Sequence, residues 1–491
     1  MPTADGSTSS PTLVIASRSF GTRIRRSGSG PIGRRGISWG IAAAPYRVGM
    51  PTVTARPVLP PGPTVAPVRQ SLAWIARPMA FMERCRAAHG DVFTARIFGD
   101  QPLVFVADPG LVRDVLTGDP DVLRAGEGNA ILRPVVGSRS LLLLDGADHL
   151  AQRRMMLPAF HGDRIDAYVG LMRTATAREV DGWHDGPVAA WPRMQAITLE
   201  IVVAAVFGVT EPARAARLRD VLARMLDDLA APTKLVRLAL ATRGARRGES
   251  DAALEPFRRA TRGVHALLQE ELDHRRRGAG GGQDVLSLLL AARDETGRGL
   301  TDEELRDQLI TLLVAGHETT ATTLAWALER LVRHPAALHR AVQEADDGGH
   351  AWLDAVVRET LRLRPVLPIV VRHTTAPVRL GDHLLPAGID VAPCIHLLHR
   401  RPDAWPDPHA FRPERFLDDG GRDAYTWLPF GGGVRRCLGA SFALVEARVV
   451  LAELLRRVTV HAVRERPERV ARRAITLTPS RSATIGVTRR V

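Results

Sequence analysis

The sequence predicts a mainly α-helical protein with a small β portion, built around one long central helix. Three observations support this fold class. Apolar residues recur at three- and four-residue spacing from about Ala76 to Gly297. An unbroken helical pattern then runs from Thr301 to the His334-Pro335 pair. After Pro365, brief strand-like runs alternate with proline-rich loops.

A basic N-terminal segment stands apart from the predicted folded body. Residues 1–49 are rich in Ser, Gly and Arg and lack helical periodicity. A disordered tail has this composition, although a transit peptide shares it. Met50 resembles a second start. We therefore expect a tail over residues 1–54, with Met50 as an alternative first residue, and one folded domain over residues 55–491.

The charge distribution argues against a nucleic-acid partner. The net charge is +14, but residues 1–56 alone carry eight arginines and one acid. The remaining charge is spread thinly, only 5% of residues are aromatic, and no nucleic-acid motif is present. A single lysine among 67 basic residues is typical of a GC-rich bacterial genome.

Hydropathy and cysteine usage indicate a soluble cytoplasmic protein. No apolar run reaches the ~20 residues of a membrane span, so no transmembrane anchor is predicted. Cys85, Cys394 and Cys437 form an odd, widely spaced set, so no disulfide framework is expected. Cys394 with His396 and His399 leaves a metal cluster open as a minor alternative.

The short strands are expected in three places. DVFTARIFGDQPLVFVADP is strand-like and lies near the start of the helical body. VRLGDHLLPAGIDVAP predicts a hairpin, and ITLTPSRSATIGVTRR predicts a terminal pair of strands.

The central helix is expected to run through the middle of the molecule. Thr301 and Glu304 form a capping box at its start. More than thirty helical residues would span roughly 50 Å. Its centre, AGHETT at 315–320, is polar where a core helix should be apolar. A kink with threonines bonding back to carbonyls is one interpretation. An acid beside a hydroxyl also suits delivery of protons to something bound beside the helix.

Two further stretches carry candidate chemistry. PFGGGVRRCLGA at 429–440 presents one thiol, Cys437, on a flexible basic loop. Glu359 and Arg362 share a helix face and on their own would be taken for a surface pair. Arg415 lies in the FRPERF stretch of a later proline-rich loop.

Together these stretches resemble the cytochrome P-450 superfamily over roughly residues 55–491. Phe430-Gly-x-Gly-x-Arg435-x-Cys437-x-Gly439-x-x-x-Ala443-x-x-Glu446 is similar to its haem-binding signature. Ala315-Gly316-x-Glu318-Thr319-Thr320 resembles its oxygen-activation motif. Glu359, Arg362 and Arg415 match its structural triad. The resemblance implies that family's fold, with a long central helix over a buried haem.

The resemblance also implies the site residues. Cys437 would be the axial ligand of haem b iron, and Phe430 would shield the sulfur. The haem propionates would be held by Arg435, His149, Arg153 and Arg372. O₂ would bind beside Ala315 and Gly316, with Thr319 and Glu318 delivering protons.

The implied activity is a haem-thiolate monooxygenase with O₂ as co-substrate. Electrons would come from a ferredoxin and its reductase, with NAD(P)H as the ultimate donor. By the resemblance, the segments around residues 120–140, 225–250 and 305–315 would line the substrate pocket. They are apolar with scattered arginines, so we expect a hydrophobic substrate, such as a lipid, terpenoid, steroid or polyketide of secondary metabolism. The alternatives are a haem-thiolate isomerase, dehydratase or peroxygenase, and a non-enzymatic haem sensor or carrier.

Overall fold

The computed structural model describes residues 58–97, 99, 101–160, 162–208, 212–229, 255–279, 284–418 and 423–490. The tail predicted over residues 1–54 lies outside these residues. Residues 230–250 also lie outside them; they are the larger part of the segment 225–250 that was predicted to line the substrate pocket.

The described residues are mainly helical, as predicted. Their α-helices are Pro67–Ala76 (α1), Pro78–His89 (α2), Pro109–Thr117 (α3), Ala125–Gly128 (α4), Arg133–Val136 (α5), Gly146–Met156 (α6), Asp163–Asp181 (α7), Ala190–Phe207 (α8), Pro212–Leu229 (α9), Glu255–His274 (α10), Val285–Ala291 (α11), Asp302–Leu331 (α12), Pro335–Asp347 (α13), Ala351–Leu363 (α14), Ile395–Leu398 (α15) and Ala440–Arg457 (α16).

The strands are short and belong to several small sheets. They are Val92–Arg96 (β1), Pro102–Val106 (β2), Leu123–Arg124 (β3), Gly186–Ala189 (β4), Arg372–Thr374 (β5), Val378–Leu380 (β6), His383–Leu385 (β7), Asp390–Pro393 (β8), Val458–Ala462 (β9), Val470–Arg473 (β10), Thr476–Pro479 (β11) and Thr484–Arg489 (β12).

The predicted central helix is α12, which has 30 residues. Its capping box forms as expected: the Glu304 N–H donates to the Thr301 hydroxyl, and the Thr301 N–H donates to the Glu304 carboxylate. The helix is slightly shorter than predicted and ends at Leu331. His334 has an extended ψ of 78° because the following Pro335 disfavours helical backbone there.

Helix α12 contributes to two apolar clusters, which explains how a helix of this length is stabilised. Leu324 and Leu328 pack in one cluster with residues of α7, α8, α14 and α16. Leu305 and Leu309 pack in a second cluster with residues of α8, α10 and α11. Most side chains of α12 are buried as a result.

The largest sheet has five strands in the order β1-β2-β8-β5-β3. β1 and β2 form the hairpin suggested by the strand-like run near the start of the helical body. The rings of Phe93 and Phe105, from these two strands, stack with centroids 4.9 Å apart. β8 pairs with β2 in parallel.

The C-terminal strands correct one prediction. The hairpin expected around residues 378–393 is present as β6 and β7, while β8 joins the large sheet. The expected terminal pair is wrong: β11 pairs with β10, and β12 lies between β4 and β9. Both strands exist. β11 pairs with β10, an adjacent strand that was not predicted, whereas the partners of β12 lie farther away in sequence and leave no local signal.

One helix among the described residues is long and apolar enough to cross a membrane. It is α8, Ala190–Phe207, and 61% of that stretch is buried inside the protein. Since α8 supplies residues to both apolar clusters around α12, we assign it to the core.

Candidate functional site

The loop that carries Cys437 is shaped by glycines. Gly431 and Gly433 have φ values of 64° and 63°, a region that side-chain-bearing residues rarely adopt. A Cβ on Gly433 would lie 2.0 Å from the carbonyl oxygen of Leu116. The Cys437 N–H donates to the Phe430 carbonyl over 2.9 Å and closes the turn. This sequence therefore folds tightly and presents a single thiol.

Cys437 is the only one of the three cysteines with an exposed side chain. Loss of hydration beside the surrounding loop atoms raises the pKa of its thiol, whereas a hydrogen bond from the Gly439 N–H and the nearby charges of Arg153 and Arg436 oppose that rise. Gly439 is the N-cap of α16, which begins at Ala440. A backbone N–H at the positive end of a helix thus reaches the sulfur, where it would stabilise a thiolate.

Helix α12 carries a stripe of accessible residues. Ala315 is exposed, and Leu312, Gly316 and Thr319 are half-buried, at positions that share one helix face. Leu438, next to the cysteine, packs against the same apolar cluster as Leu312. The cysteine loop and α12 therefore border the same apolar cluster, and the stripe is where this otherwise buried helix is accessible.

Gly316 has a packing contact that the sequence did not predict. A Cβ at this position would lie 3.3 Å from Cγ2 of Val202 in α8. Glycine here therefore allows α8 and α12 to approach closely, in addition to any room it leaves on the accessible stripe.

The four predicted propionate partners lie close together. Burial, together with the positive charges of Arg435, Arg153 and Arg372, lowers the pKa of His149 to about 3. Burial also lowers the pKa of Arg372 and of Arg435 to about 10 each. The negative charge of a Cys437 thiolate would raise the pKa of Arg153, so the two side chains lie near each other. The ring of His149 would contribute an N–H donor for a carboxylate.

Arg435 has protein partners that the sequence did not reveal. Its guanidinium donates to the carbonyls of Leu141, at 3.2 Å, and Leu144, and to the Asp145 carboxylate at 2.5 Å. Asp145 also accepts the N–H groups of Gly126 and Glu127. Asp145 is 290 residues from Arg435, so no local pattern predicts the contact.

This arrangement fits an iron porphyrin that carries two carboxylates. An accessible thiol supplies a soft ligand for the iron. Three arginines and one histidine gather together, with Arg153 near the thiol, and supply donors for carboxylates. The accessible stripe of α12 supplies a second wall.

The acid and the alcohol of α12 face different partners. The Thr319 hydroxyl donates to the Ala315 carbonyl over 2.7 Å, as the back-bonding interpretation predicts. The Glu318 carboxylate accepts from the Thr476 hydroxyl over 3.0 Å and lies 3.9 Å from Arg473. Glu318 therefore faces the β10–β11 hairpin, while Thr319 lies on the accessible stripe.

A second acid links α12 to the cysteine helix. Glu446 of α16 is 2% exposed, and burial raises the pKa of its carboxyl to about 8. Its hydrogen bond with Thr320 lowers that pKa in part. The sequence placed Glu446 within the cysteine motif without indicating this contact.

Glu359, Arg362 and Arg415 come together in the core. Arg362 donates to both oxygens of Glu359, at 2.7 and 2.8 Å, and neither side chain is exposed. Arg415 lies 3.6 Å from Glu359. The surface-pair interpretation of Glu359 and Arg362 is therefore wrong. Arg362 also donates to the carbonyls of His399, Pro408 and Ala410, so the pair holds the proline-rich loop.

The described residues contain no group of three His, Cys, Asp or Glu side chains that could hold a metal ion. His396 pairs with Glu83, and the ring of His399 accepts the Leu428 N–H. Cys394, His396 and His399 therefore do not come together as such a group.

Comparison with known proteins decides the family. The sequence model of cytochrome P450 matches residues 60–485. The chain belongs to the cytochrome P450 family. It is 42% identical over 438 residues to cytochrome P450 135B1 of Mycobacterium bovis, which covers 87% of this chain and 91% of that protein. It is 38% identical over 420 residues to cytochrome P450 137 of Mycobacterium tuberculosis, covering 84% and 87%.

Solved structures of P450 proteins share the fold. The cytochrome P450DA heme domain superposes with a TM-score of 0.76 at 26% identity, covering 88% of this chain and 98% of that one. The retinoic acid-bound cyanobacterial CYP120A1 superposes with a TM-score of 0.75 at 24% identity, covering 89% and 100%. The predicted mainly α P450 fold is confirmed.

Membership in the family establishes the general chemistry. A P450 is a haem-containing, iron-dependent oxidoreductase that uses O₂ as a monooxygenase and generally takes electrons from redox partners.

Proposed function

We propose that this P450 inserts one oxygen atom from O₂ into a hydrophobic small molecule at the cavity between Cys437 and α12. The observation that carries the proposal is the exposed Cys437 thiol, with Arg153 near it and three arginines, Arg153 among them, gathered around His149. The accessible stripe of α12, whose Leu312 shares an apolar cluster with Leu438, would form the opposite wall. Haem b, when bound, supplies the iron that activates O₂, with the Cys437 thiolate as its axial ligand.

The basic side chains have a defined task in this proposal. Arg435, Arg153 and Arg372 would pair with the propionates, and His149 would donate an N–H. Charge-assisted hydrogen bonds of this kind are stronger than neutral ones. Arg435 already donates to Asp145 and to two carbonyls, so its guanidinium is fixed in place. Phe430 would limit access of water to the sulfur; it packs edge-on against Trp427.

Thr319 and Glu318 would deliver the protons that oxygen reduction requires. The Thr319 hydroxyl lies on the accessible stripe and can turn from the Ala315 carbonyl toward the cavity. The Glu318 side chain is 16% exposed, so water can reach it. Ala315 and Gly316 would leave the room for oxygen beside the helix.

The substrate would be apolar. Val135, Val136 and Leu143 form a small cluster against Leu132 and Val314, next to the accessible stripe. Such a lining favours hydrophobic molecules, such as a lipid, terpenoid, steroid or polyketide. We further propose a ferredoxin and its NAD(P)H-dependent reductase as electron source, and action in the cytoplasm.

The axial ligand provides the direct test. Reduced, CO-bound protein with a thiolate ligand shows a strongly red-shifted Soret band. Cys437→Ser should remove that band, while Cys85→Ala, a change at a buried cysteine distant in sequence, should keep it in the fraction that folds. A Cys437→Ser protein with the wild-type band would overturn the proposal.

A further inference from the structure

The outward face of the first helix is apolar, which is the reverse of the usual surface helix. Val65, Val68, Leu72 and Ile75 are 49, 69, 61 and 38% exposed. Their spacing of three, four and three residues puts them on one side of α1 and of the residues just before it, which include Val65. We call these four residues the α1 stripe. Among the described residues, five of the nine exposed large hydrophobic side chains lie between Val58 and Ile75.

The opposite face of α1 fixes the helix to the protein body. Gln70 and Trp74 are buried. The Gln70 amide donates to the carbonyls of Pro63 and Val65 and accepts the Arg96 N–H of β1. Trp74 packs on Phe81 and Phe105, with Arg472 over its ring. The outward direction of the α1 stripe is therefore set by several specific contacts.

Charge distinguishes the possible occupants of this face. Residues 6–82 contain ten arginines and no aspartate or glutamate. Two of these arginines, Arg69 and Arg77, are exposed beside the stripe. An apolar helix face set in an acid-free, arginine-rich part of the chain complements a surface that is apolar inside and negatively charged outside. An anionic lipid bilayer has this composition.

A second copy of the chain fits this face less well. A stable protein interface needs about 20–30 residues a side, many more than a ten-residue helix offers. Two copies would also bring two acid-free, arginine-rich segments together.

We propose that the α1 stripe and its flanking arginines bind the surface of an anionic membrane and hold the P450 there without a membrane span. Apolar molecules concentrate in bilayers, so this attachment would place the enzyme beside a lipid-phase supply of hydrophobic compounds. The attachment does not depend on the proposed reaction, because no residue of the α1 stripe belongs to the haem site.

Vesicle co-sedimentation of the full-length, haem-loaded protein tests the proposal. We expect binding to vesicles of equal parts phosphatidylglycerol and phosphatidylcholine, weaker binding to pure phosphatidylcholine, and weaker binding as NaCl rises from about 0.05 to 0.5 M. Val68→Ser/Leu72→Ser should lower the partition coefficient about tenfold or more, because each change removes one apolar side chain that the bilayer would bury. Arg69→Gln/Arg77→Gln should reduce the preference for phosphatidylglycerol.

A matched control places the same change on other exposed hydrophobic residues. Leu417→Ser/Val463→Ser should bind vesicles like the wild type. Haem content and melting temperature identify variants that misfold. Leu72→Glu, examined as soluble, haem-loaded protein, is a second variant that disrupts the α1 stripe, and it should also bind vesicles more weakly. Absence of wild-type binding, or equal binding by Val68→Ser/Leu72→Ser, would overturn the proposal. So would a concentration-dependent dimer that the stripe variant dissociates without any vesicle binding, since a second copy would then be the occupant.

Discussion

Thr319 is the residue on which the proposed oxygen chemistry depends most directly. Its hydroxyl lies on the accessible stripe of α12 and bonds back to Ala315. Without it, reduced oxygen should leave the site as hydrogen peroxide before its O–O bond breaks. Thr319→Ala should therefore keep haem and substrate binding, keep NAD(P)H oxidation substantial, and lower product per NAD(P)H severalfold or more.

The control lies one turn further along the same helix. Thr323 makes the equivalent bond to the Thr319 carbonyl but is buried. Thr323→Ala should affect stability and leave the product-to-NAD(P)H ratio unchanged. If the two variants give the same ratio as the wild type, Thr319 has only a structural role.

Glu446 predicts a pH dependence of stability. Burial raises the pKa of its carboxyl from 4.5 to about 8, so the folded protein holds this proton more tightly than the unfolded chain does. Between about pH 4.5 and 8, this group must therefore make the free energy of unfolding fall as pH rises. One such proton contributes a slope of at most about 1.4 kcal/mol per pH unit.

Glu446→Gln isolates that contribution. The amide cannot ionise but can still bond to Thr320, so the variant should lose this component of the slope and gain stability at pH 8 relative to pH 5. Denaturant titrations at several pH values measure it. Identical slopes for the variant and the wild type would show that Glu446 does not hold a proton in the folded state.

At the scale of elements, a set of hydrogen bonds joins the loop before α6 to the central helix. We call this set, formed by Asp307, Gln308 and Thr311 with residues 139–141, the polar clasp. The side chain of Gln308 accepts the Leu141 N–H at 2.9 Å and donates to the Arg139 carbonyl at 2.5 Å. Asp307 accepts the Arg139 N–H, and Thr311 shares a hydrogen bond with Ser140. The same loop is bound from the other side by Arg435. The clasp therefore connects α12 to the cysteine loop.

Gln308→Ala should leave two buried backbone groups without these partners. The expected loss is roughly 1–3 kcal/mol in the free energy of unfolding, measured by denaturant titration. Gln343→Ala removes an exposed glutamine of α13 and should cost less than about 0.5 kcal/mol. Equal costs for the two changes would contradict the clasp.

The predictable parts of the molecule are those encoded in continuous stretches of sequence. The capping box at Thr301, the strands near residue 92 and the tight cysteine loop all follow from local patterns. Contacts between distant stretches do not. Arg435 with Asp145 spans 290 residues and Glu318 with Thr476 spans 158. The partners of β12 were missed for the same reason, whereas β11 pairs with β10, an adjacent strand that was not predicted.

At the scale of the whole molecule, the folded domain should not need the tail. The family match begins at residue 60, and we propose that residues 55–491 form the catalytic domain. A chain that begins at Met50 should fold, bind haem and turn over like the full-length protein, with a melting temperature within a few degrees. Loss of haem binding or aggregation, beside a sound full-length protein, would contradict this.

The unequal burial of the three cysteines gives the protein one chemically addressable sulfur. Burial raises the pKa of Cys85 to about 11 and that of Cys394 to about 12, so neither forms much thiolate at neutral pH. Cys437 alone is exposed. A thiol reagent should consume one equivalent rapidly in haem-free folded protein and none where iron occupies the sulfur. Reagent stoichiometry would then count cofactor occupancy without reference to absorbance or turnover.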